Sequence, residues 1–442
     1  MLAEQLEKIP LSRFHYLLLL VIGIPYCFVA MDVLLISLVL PLLRAQWVLP
    51  GELAGFLAGS SFIGMFIGAS GWGYISDFIG RKKSLELTII TFTAFTGLSA
   101  LAWDWSSMIL MRILTGVGLG GCIPICFVYL SEFIPAKNRG SFLVLLDSFW
   151  AYGWILATLL GYLVIPPYGW QAFFLTGAIP VVTVLVVHLA LPESIRYLEE
   201  RGKIEEAMFL LKEIGRKSGE EFELKSVKGV KPKVTAKVPI GELWSRQYRR
   251  RTFFSWAMWF SMVYGYYSLV LWVISFMTDL GYPLPTAMFN ALLTSFAQIP
   301  GYFTSAWLIE KIGRKPTLAT YLTMTTVSTV GFALSKTSLQ LIVSLSAINF
   351  FCLGAWGVVM VYCTELYPTR VRGTGYGAAS GFGRLAGVIG PTVIGYLMDA
   401  YGLFTTLSVT AAVFLIGAVN AVVLGIETKG KTLEEISERK SD

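Results

Sequence analysis

Four charged residues stand inside long apolar stretches: Asp32, Arg112, Asp147 and Arg384. An ionised side chain at membrane depth is costly unless paired or hydrated, so each marks a candidate functional position. Arg384 sits in Gly381-Phe382-Gly383-Arg384-Leu385-Ala386-Gly387, and the nearest acids of the second half, Asp279, Glu365 and Asp399, fall near the ends of apolar stretches. A guanidinium left free among glycines is suited to hold a carboxylate through two parallel hydrogen bonds. The competing reading pairs Arg384 with Asp147 and leaves no free positive site. At about 1.5 Å per residue, Asp32 and Arg112 lie about 16 Å and about 10 Å from the same end of their stretches, so they can meet. Tyr264, Tyr266 and Tyr267 cluster in one stretch with Trp272 beyond them, Trp150 and Trp154 stand at i,i+4 in another, and Trp356 marks a third. Those that face inward rather than toward lipid, with Gln298 and Asn349 as hydrogen-bonding groups, would favour a flat ring bearing a carboxylate.

The elements that position these residues follow from composition. Of 442 residues, 55% are apolar and 14% charged, against about 25% charged in an ordinary soluble domain. So apolar a chain leaves no water-facing surface for one soluble core, and a soluble enzyme, a nucleic-acid binder and a disulfide scaffold are excluded. The five cysteines all lie in apolar stretches and read as packing residues, Cys122 and Cys126 on one helix face. His15 and His188 are isolated, with neither a metal-ligand array nor a nucleophile motif around them, which argues against an enzyme and against a cofactor.

At about 20 residues per crossing, the stretches divide into twelve spans, near 16–43, 53–75, 84–102, 106–130, 140–162, 170–191, 252–278, 286–309, 316–334, 339–364, 374–396 and 404–426. The two termini and the connections on their side hold 31 of the 35 lysines and arginines, and the opposite side holds only Arg44 and Lys336. Basic connections stay cytoplasmic, so both termini and the central linker are expected inside the plasma membrane. The expected organisation is a six-helix bundle over residues 1–191, a cytoplasmic linker over 192–251, a second bundle over 252–426 and a tail over 427–442. In the linker, apolar residues at helical spacing between Arg196 and Lys217 predict short amphipathic helices, and 225–239 reads as a tether.

The chain also repeats itself at an offset of 233 residues. Asp77-x-x-Gly80-Arg81-Lys82 returns as Glu310-x-x-Gly313-Arg314-Lys315, and Glu132-x-x-Pro135-x-x-x-Arg139-Gly140 returns as Glu365-x-x-Pro368-x-x-x-Arg372-Gly373. Tyr168-Gly169 matches Tyr401-Gly402 in the same register. Two homologous halves with a binding cavity between them is a transporter layout.

Gly73-x-x-x-Asp77-x-x-Gly80-Arg81-Lys82-Lys83 resembles the signature loop of the major facilitator superfamily, and Pro192-Glu193-Ser194-x-Arg196-Tyr197-Leu198 and Glu427-Thr428-Lys429-Gly430 resemble the segments that close each half in sugar porters and organic-ion carriers. Leu146 to Trp154, Gly169-Trp170-Gln171-Ala172, Gln298-Ile299-Pro300-Gly301-Tyr302 and Gly354-Ala355-Trp356-Gly357 resemble the niacin-transporter group, near the organic-ion and synaptic-vesicle branches. A short connection from Arg44 to Glu52 and no Asn-x-Ser/Thr sequon fit a compact prokaryotic-type member.

The resemblance implies an all-α membrane protein of twelve transmembrane helices in two homologous six-helix bundles, working by alternating access as a monomer. It implies that Asp32 and Arg112 pair as in proton-coupled sugar porters, with Asp147 as a further proton-coupling candidate. Pairing with a guanidinium favours an ionised carboxyl and separation favours a protonated one, so the pair is either a coupling switch or a static lock between two helices. It implies that Asp77, Gly80, Arg81, Glu132, Arg139, Glu310, Gly313, Arg314, Glu365 and Arg372 form the helix-end contacts of a cytoplasmic gate. Anion carriers of the organic-ion branch tend to have arginine on the Arg384 helix. The expected cargo is therefore a small organic anion, nicotinate or a related aromatic carboxylate, moved with protons. A sugar–proton symporter and an exporter of amphipathic compounds are the alternatives.

Overall fold

The computed structural model describes residues 9–218, 240–367 and 369–429, and all regular structure among them is helical. The first half comprises α1 (Arg13–Gln46), α2 (Gly51–Ile79), α3 (Arg81–Ser99), α4 (Trp105–Phe133), α5 (Ala136–Thr176) and α6 (Val182–Ala190). The linker contributes α7 (Ile195–Glu200) and α8 (Ile204–Ser218), where short amphipathic helices are expected. The tether at 225–239 lies outside the described residues. The second half comprises α9 (Arg249–Val270), α10 (Val273–Asp279), α11 (Leu284–Ser295), α12 (Gln298–Lys311), α13 (Arg314–Ala333), α14 (Ser338–Glu365) and α15 (Thr369–Leu424).

These helices make twelve spans. Six stretches are apolar and long enough to cross a bilayer on their own, and a pair, α9 with α10, forms a seventh bent by 44°. Two of the six are double. The chain breaks in α5 at Gly169 (φ 81°) and in α15 at Gly402 (φ 77°), positive angles that glycine adopts without a steric penalty. The repeat therefore places the same hinge in both halves. α3 and α13 are less apolar, yet most of their hydroxyls find carbonyls within the helix: Thr88 and Thr93 donate to Leu85 and Ile89, and Thr325 and Thr329 to Tyr321 and Thr325.

One end of the bundle carries the linker, and the halves repeat one set of contacts there. Gly80 (φ 98°) and Gly313 (φ 101°) start α3 and α13. The first free N–H groups of α3, from Arg81 and Lys82, donate to Glu193 at 2.9 and 3.3 Å. Those of α13, from Arg314 and Lys315, donate to Glu427 at 3.0 and 3.1 Å. A carboxylate at a helix N-terminus satisfies unpaired donors and favours the positive end of the helix dipole. Tyr362 hydroxyl donates to the Ile426 carbonyl at 2.7 Å, and its repeat mate Tyr129 to Pro192.

The two halves meet closely at the opposite, far end. Gly51, Gly55 and Gly59 of α2 lie against Gly395, Pro391 and Gly387 of α15 so closely that a Cβ at Gly51 or Gly55 would strike backbone carbonyls. Glycines allow such backbone approach in a membrane bundle. Arg44 at the end of α1 pairs with Asp399 of α15 and reaches Asp279 of α10 at 3.8 Å. Asp399 also accepts from the Gly51 N–H.

Candidate functional site

The first buried charge pair lies within the first half. Arg112 of α4 donates through Nη1 to Asp32 Oδ1 at 2.8 Å and through Nη2 to the Asp32 carbonyl at 3.1 Å. Thr96 of α3 donates to the other carboxylate oxygen. Both charged side chains are at most 1% exposed. Three helices are thereby tied through one carboxylate, and removing either partner would strand the other charge.

The second carboxylate stands where the halves face one another. Asp147 of α5 accepts from Tyr26 of α1 at 2.9 Å. Tyr302 of α12, in the other half, turns its hydroxyl toward the same carboxyl. Neither that hydroxyl nor Asp147 Oδ2 completes a hydrogen bond, although both are buried. Beside them Trp150 of α5 donates to the Tyr266 hydroxyl of α9 at 3.2 Å, joining the halves. Aromatic rings close around this point: Tyr266 and Tyr267 lie 5.5 and 6.2 Å from Trp356 by ring centroid, Trp259 lies 5.8 Å from Trp356 and 5.6 Å from Tyr376, and Tyr26 lies 5.9 Å from Trp150.

Arg384 approaches the same cluster from α15. Its Nη1 donates to the Met65 carbonyl of α2 at 2.6 Å, across the interface between halves. Among the described residues it forms no ion pair, so the pairing with Asp147 is not made. Both charges nonetheless act on Tyr267 and Tyr376, which stand within electrostatic reach of each. The result is a separated pair, a cation on one side and a carboxyl with a spare oxygen on the other, with rings between.

Other expected binding residues are distributed around this centre. Trp150, Tyr267 and Trp356 belong to the ring cluster. Tyr264 stacks on Phe260 at 6.1 Å. Gln298 and Asn349 bond to each other at 2.9 Å, and Asn349 also donates to Leu345. Gln298 Oε1 remains unpartnered one turn from Tyr302. Trp272 stands apart at the far end, donating to the Pro391 carbonyl at 3.0 Å with the Arg44 guanidinium 5.7 Å above its ring. Tyr26, Trp259, Tyr302 and Tyr376 join the site without having been singled out from sequence. Two of them carried a signal: the 233-residue offset superposes Tyr26 on Trp259, a shared aromatic position in both halves.

Arg81 and Arg314, the equivalent signature-loop arginines, each pair with acids of their own half. Arg81 lies 3.1 Å from Asp77 and 3.6 Å from Glu132, and Arg314 lies 3.2 Å from Glu310 and 3.1 Å from Glu365. Arg139 reaches the Ile134 carbonyl at 3.4 Å. The Arg372 side chain lies outside the described residues. Glu86 of α3 meets His188 of α6 at 3.0 Å.

With this geometry established, comparison with known proteins is informative. Residues 49–439 match the family model for the sugar (and other) transporter. The chain is 38% identical over 437 residues to the niacin transporter NiaP of Acinetobacter baylyi, covering 98% of this chain and 99% of that protein. It is 35% identical to the putative niacin/nicotinamide transporter NiaP of Bacillus subtilis, covering 94% of this chain and 97% of that one. The synaptic vesicle 2-related protein of Xenopus laevis is 30% identical over 99% of this chain and 83% of its own length. Among solved structures, the xylose transporter XylE of E. coli in a partially occluded inward-open conformation superposes with a TM-score of 0.77 at 18% identity, covering 95% of this chain and 100% of that one.

Proposed function

Because the chain belongs to the sugar (and other) transporter family of the major facilitator superfamily, and is thus a multi-pass membrane transporter rather than an enzyme, we propose that its cargo is nicotinate or a closely related aromatic carboxylate. The observation that carries this reading is Arg384: a guanidinium at the interface between halves, without an acid partner among the described residues, beside a box of tyrosine and tryptophan rings. A carboxylate would take its free N–H groups as a charge-assisted pair, and the rings would hold a flat aromatic body. The printed names of the two bacterial relatives support the same cargo.

The linker end is cytoplasmic in this reading, as the distribution of lysine and arginine supports. The far-end contacts then represent the side closed to the exterior. Rocking of residues 1–191 against 252–426 would open Gly55–Pro391 and the Arg44 pairs, exposing Arg384 to the outside. The signature-loop pairs stay within their halves during that motion and hold the ends of α2–α4 and α12–α14 as rigid units. Import coupled to protons belongs to the same proposal, with Asp32, Arg112 and Asp147 as the buried groups available to it, as does action as a monomer. A sugar is disfavoured because it brings no charge to answer Arg384, which has no acid partner among the described residues.

The test is uptake of labelled nicotinate into proteoliposomes with and without an inward proton gradient, comparing wild type with Arg384→Ala. Uptake stimulated by the gradient and lost in the variant is expected. Folded wild-type protein that takes up no nicotinate under either condition would overturn the cargo assignment.

A further inference from the structure

The central site contains a second reading head, opposite Arg384. Asp147 uses one carboxylate oxygen to accept from Tyr26 at 2.9 Å, and its Oδ2 is buried without a partner. The Tyr302 hydroxyl, from the other half, is turned toward the same carboxyl yet completes no hydrogen bond, and Gln298 Oε1 is unpartnered one turn along α12 from Tyr302. Asp147, Tyr302 and Gln298 are 3%, 2% and 0% exposed. Several polar atoms left open at one place are costly in an apolar surround, and a ligand that bonds them removes the cost.

We infer that Asp147 recognises the ring nitrogen of the bound carboxylate and carries the coupling proton to it, so that cargo and proton cross as one neutral load. This rests on the nicotinate reading above. An sp2 ring nitrogen is a hydrogen-bond acceptor, so it requires a donor opposite, and an ionised carboxylate is acceptor-only. One proton on Asp147 Oδ2 supplies the donor. That proton is taken from the side on which cargo enters and is released with it on the other side, with no covalent step.

The charges support the same assignment. In the empty site Arg384 and an ionised Asp147 cancel. An anion binding alone would leave one net negative charge in the bilayer core, where uncompensated charge is expensive. An anion with one proton restores neutrality, so loaded and empty sites can both pass through the closed state. The titratable groups facing Asp147 are Tyr26 from α1, Tyr302 from α12, Tyr266 and Tyr267 from α9, and Tyr376 from α15, and Arg384 of α15 lies within electrostatic reach of Tyr26, Tyr267 and Tyr376. Of these only Arg384 carries charge near neutral pH. Asp147 is the one carboxyl in the group.

The experiment measures binding and proton release or uptake together, on the purified full-length protein in weakly buffered detergent solution, with nicotinate and with benzoate, which has the same carboxylate and no ring nitrogen. Expected for wild type is uptake of about one proton per nicotinate bound at a pH where Asp147 is ionised, with affinity falling up to tenfold per pH unit above its titration. Benzoate should bind at least about tenfold more weakly, as when one buried hydrogen bond is unmet, while its negative charge still draws a proton to Asp147. Asp147→Asn should abolish proton uptake and flatten the pH dependence of nicotinate binding. Equal affinity for the two acids overturns the inference in the wild-type protein alone, whatever the variant does. Proton uptake with nicotinate that survives Asp147→Asn also overturns it while leaving the cargo assignment intact. Binding of neither acid to folded wild type overturns the cargo assignment and this inference with it.

Discussion

Ser37 of α1 donates its hydroxyl to the Val270 carbonyl of α9 at 2.6 Å, and the two residues are 233 positions apart. That separation is the offset of the internal repeat, so equivalent positions of the two halves touch one another. Such contact places the approximate two-fold relation between halves at this point. It also explains the helix break that follows at Leu271 and Trp272: α9 ends near the contact and α10 resumes at a 44° bend, freeing carbonyls that a continuous helix would occupy. The far end is thus closed by backbone-level contact, and predictions about closure begin there.

Replacing Gly55 by valine should hold the far end open. A side chain there would strike the Pro391 carbonyl, and overpacking a tight contact costs about 1–3 kcal/mol. In a background without the five native cysteines, Ser37→Cys should react several-fold faster with a membrane-impermeant thiol reagent when Gly55→Val is added. An unchanged rate would show that the α2–α15 contact does not set closure.

Arg44→Ala should have a much milder effect. Its partners Asp399 and Asp279 are each 41% exposed, and exposed ion pairs contribute about 0–1 kcal/mol. The expected shift toward far-end opening is at most about fivefold, and high salt should reproduce it in the wild type. A larger, salt-insensitive effect would mean that the cation over Trp272 matters more than the pairs.

Asp32→Asn should destabilise the folded protein strongly, because it strands the Arg112 guanidinium in a site with 0% exposure. Breaking such a buried pair costs about 3–5 kcal/mol, read as a fall in thermal unfolding temperature in detergent. Asp32→Leu combined with Arg112→Met should recover most of that loss. If the double variant is stable and exchanges nicotinate yet no longer accumulates it on a proton gradient, the pair is a coupling element rather than a lock.

Arg384→Lys should retain part of the affinity that Arg384→Ala loses. A charged hydrogen bond is worth about 1.5–3 kcal/mol, so alanine should weaken nicotinate binding about 10- to 100-fold. Lysine keeps the charge without the planar fork. Neutral nicotinamide provides the control: its binding should respond far less to either change, and equal losses for both ligands would mean Arg384 acts on packing.

Much of this protein was legible in its sequence. Hydropathy is a local property, so the spans could be placed from composition, and the hinge glycines Gly169 and Gly402 lie where the repeat puts them. The unusual cost of charge in a bilayer singled out Asp32, Arg112, Asp147 and Arg384, and depth along straight helices allowed Asp32 to meet Arg112. Partner choice beyond that depended on how each helix is rotated about its axis and how closely its neighbours approach, which a one-dimensional pattern does not contain. Only the packed helices brought Tyr26 and Tyr302 to Asp147 from opposite halves, turned Gln298 and Asn349 on each other, sent Trp272 to the far end, and left Arg384 on a backbone carbonyl instead of an acid. The physical reason is range: burial is decided residue by residue, whereas hydrogen-bond and charge partners are decided within a few ångströms across helices that the chain joins only through distant turns.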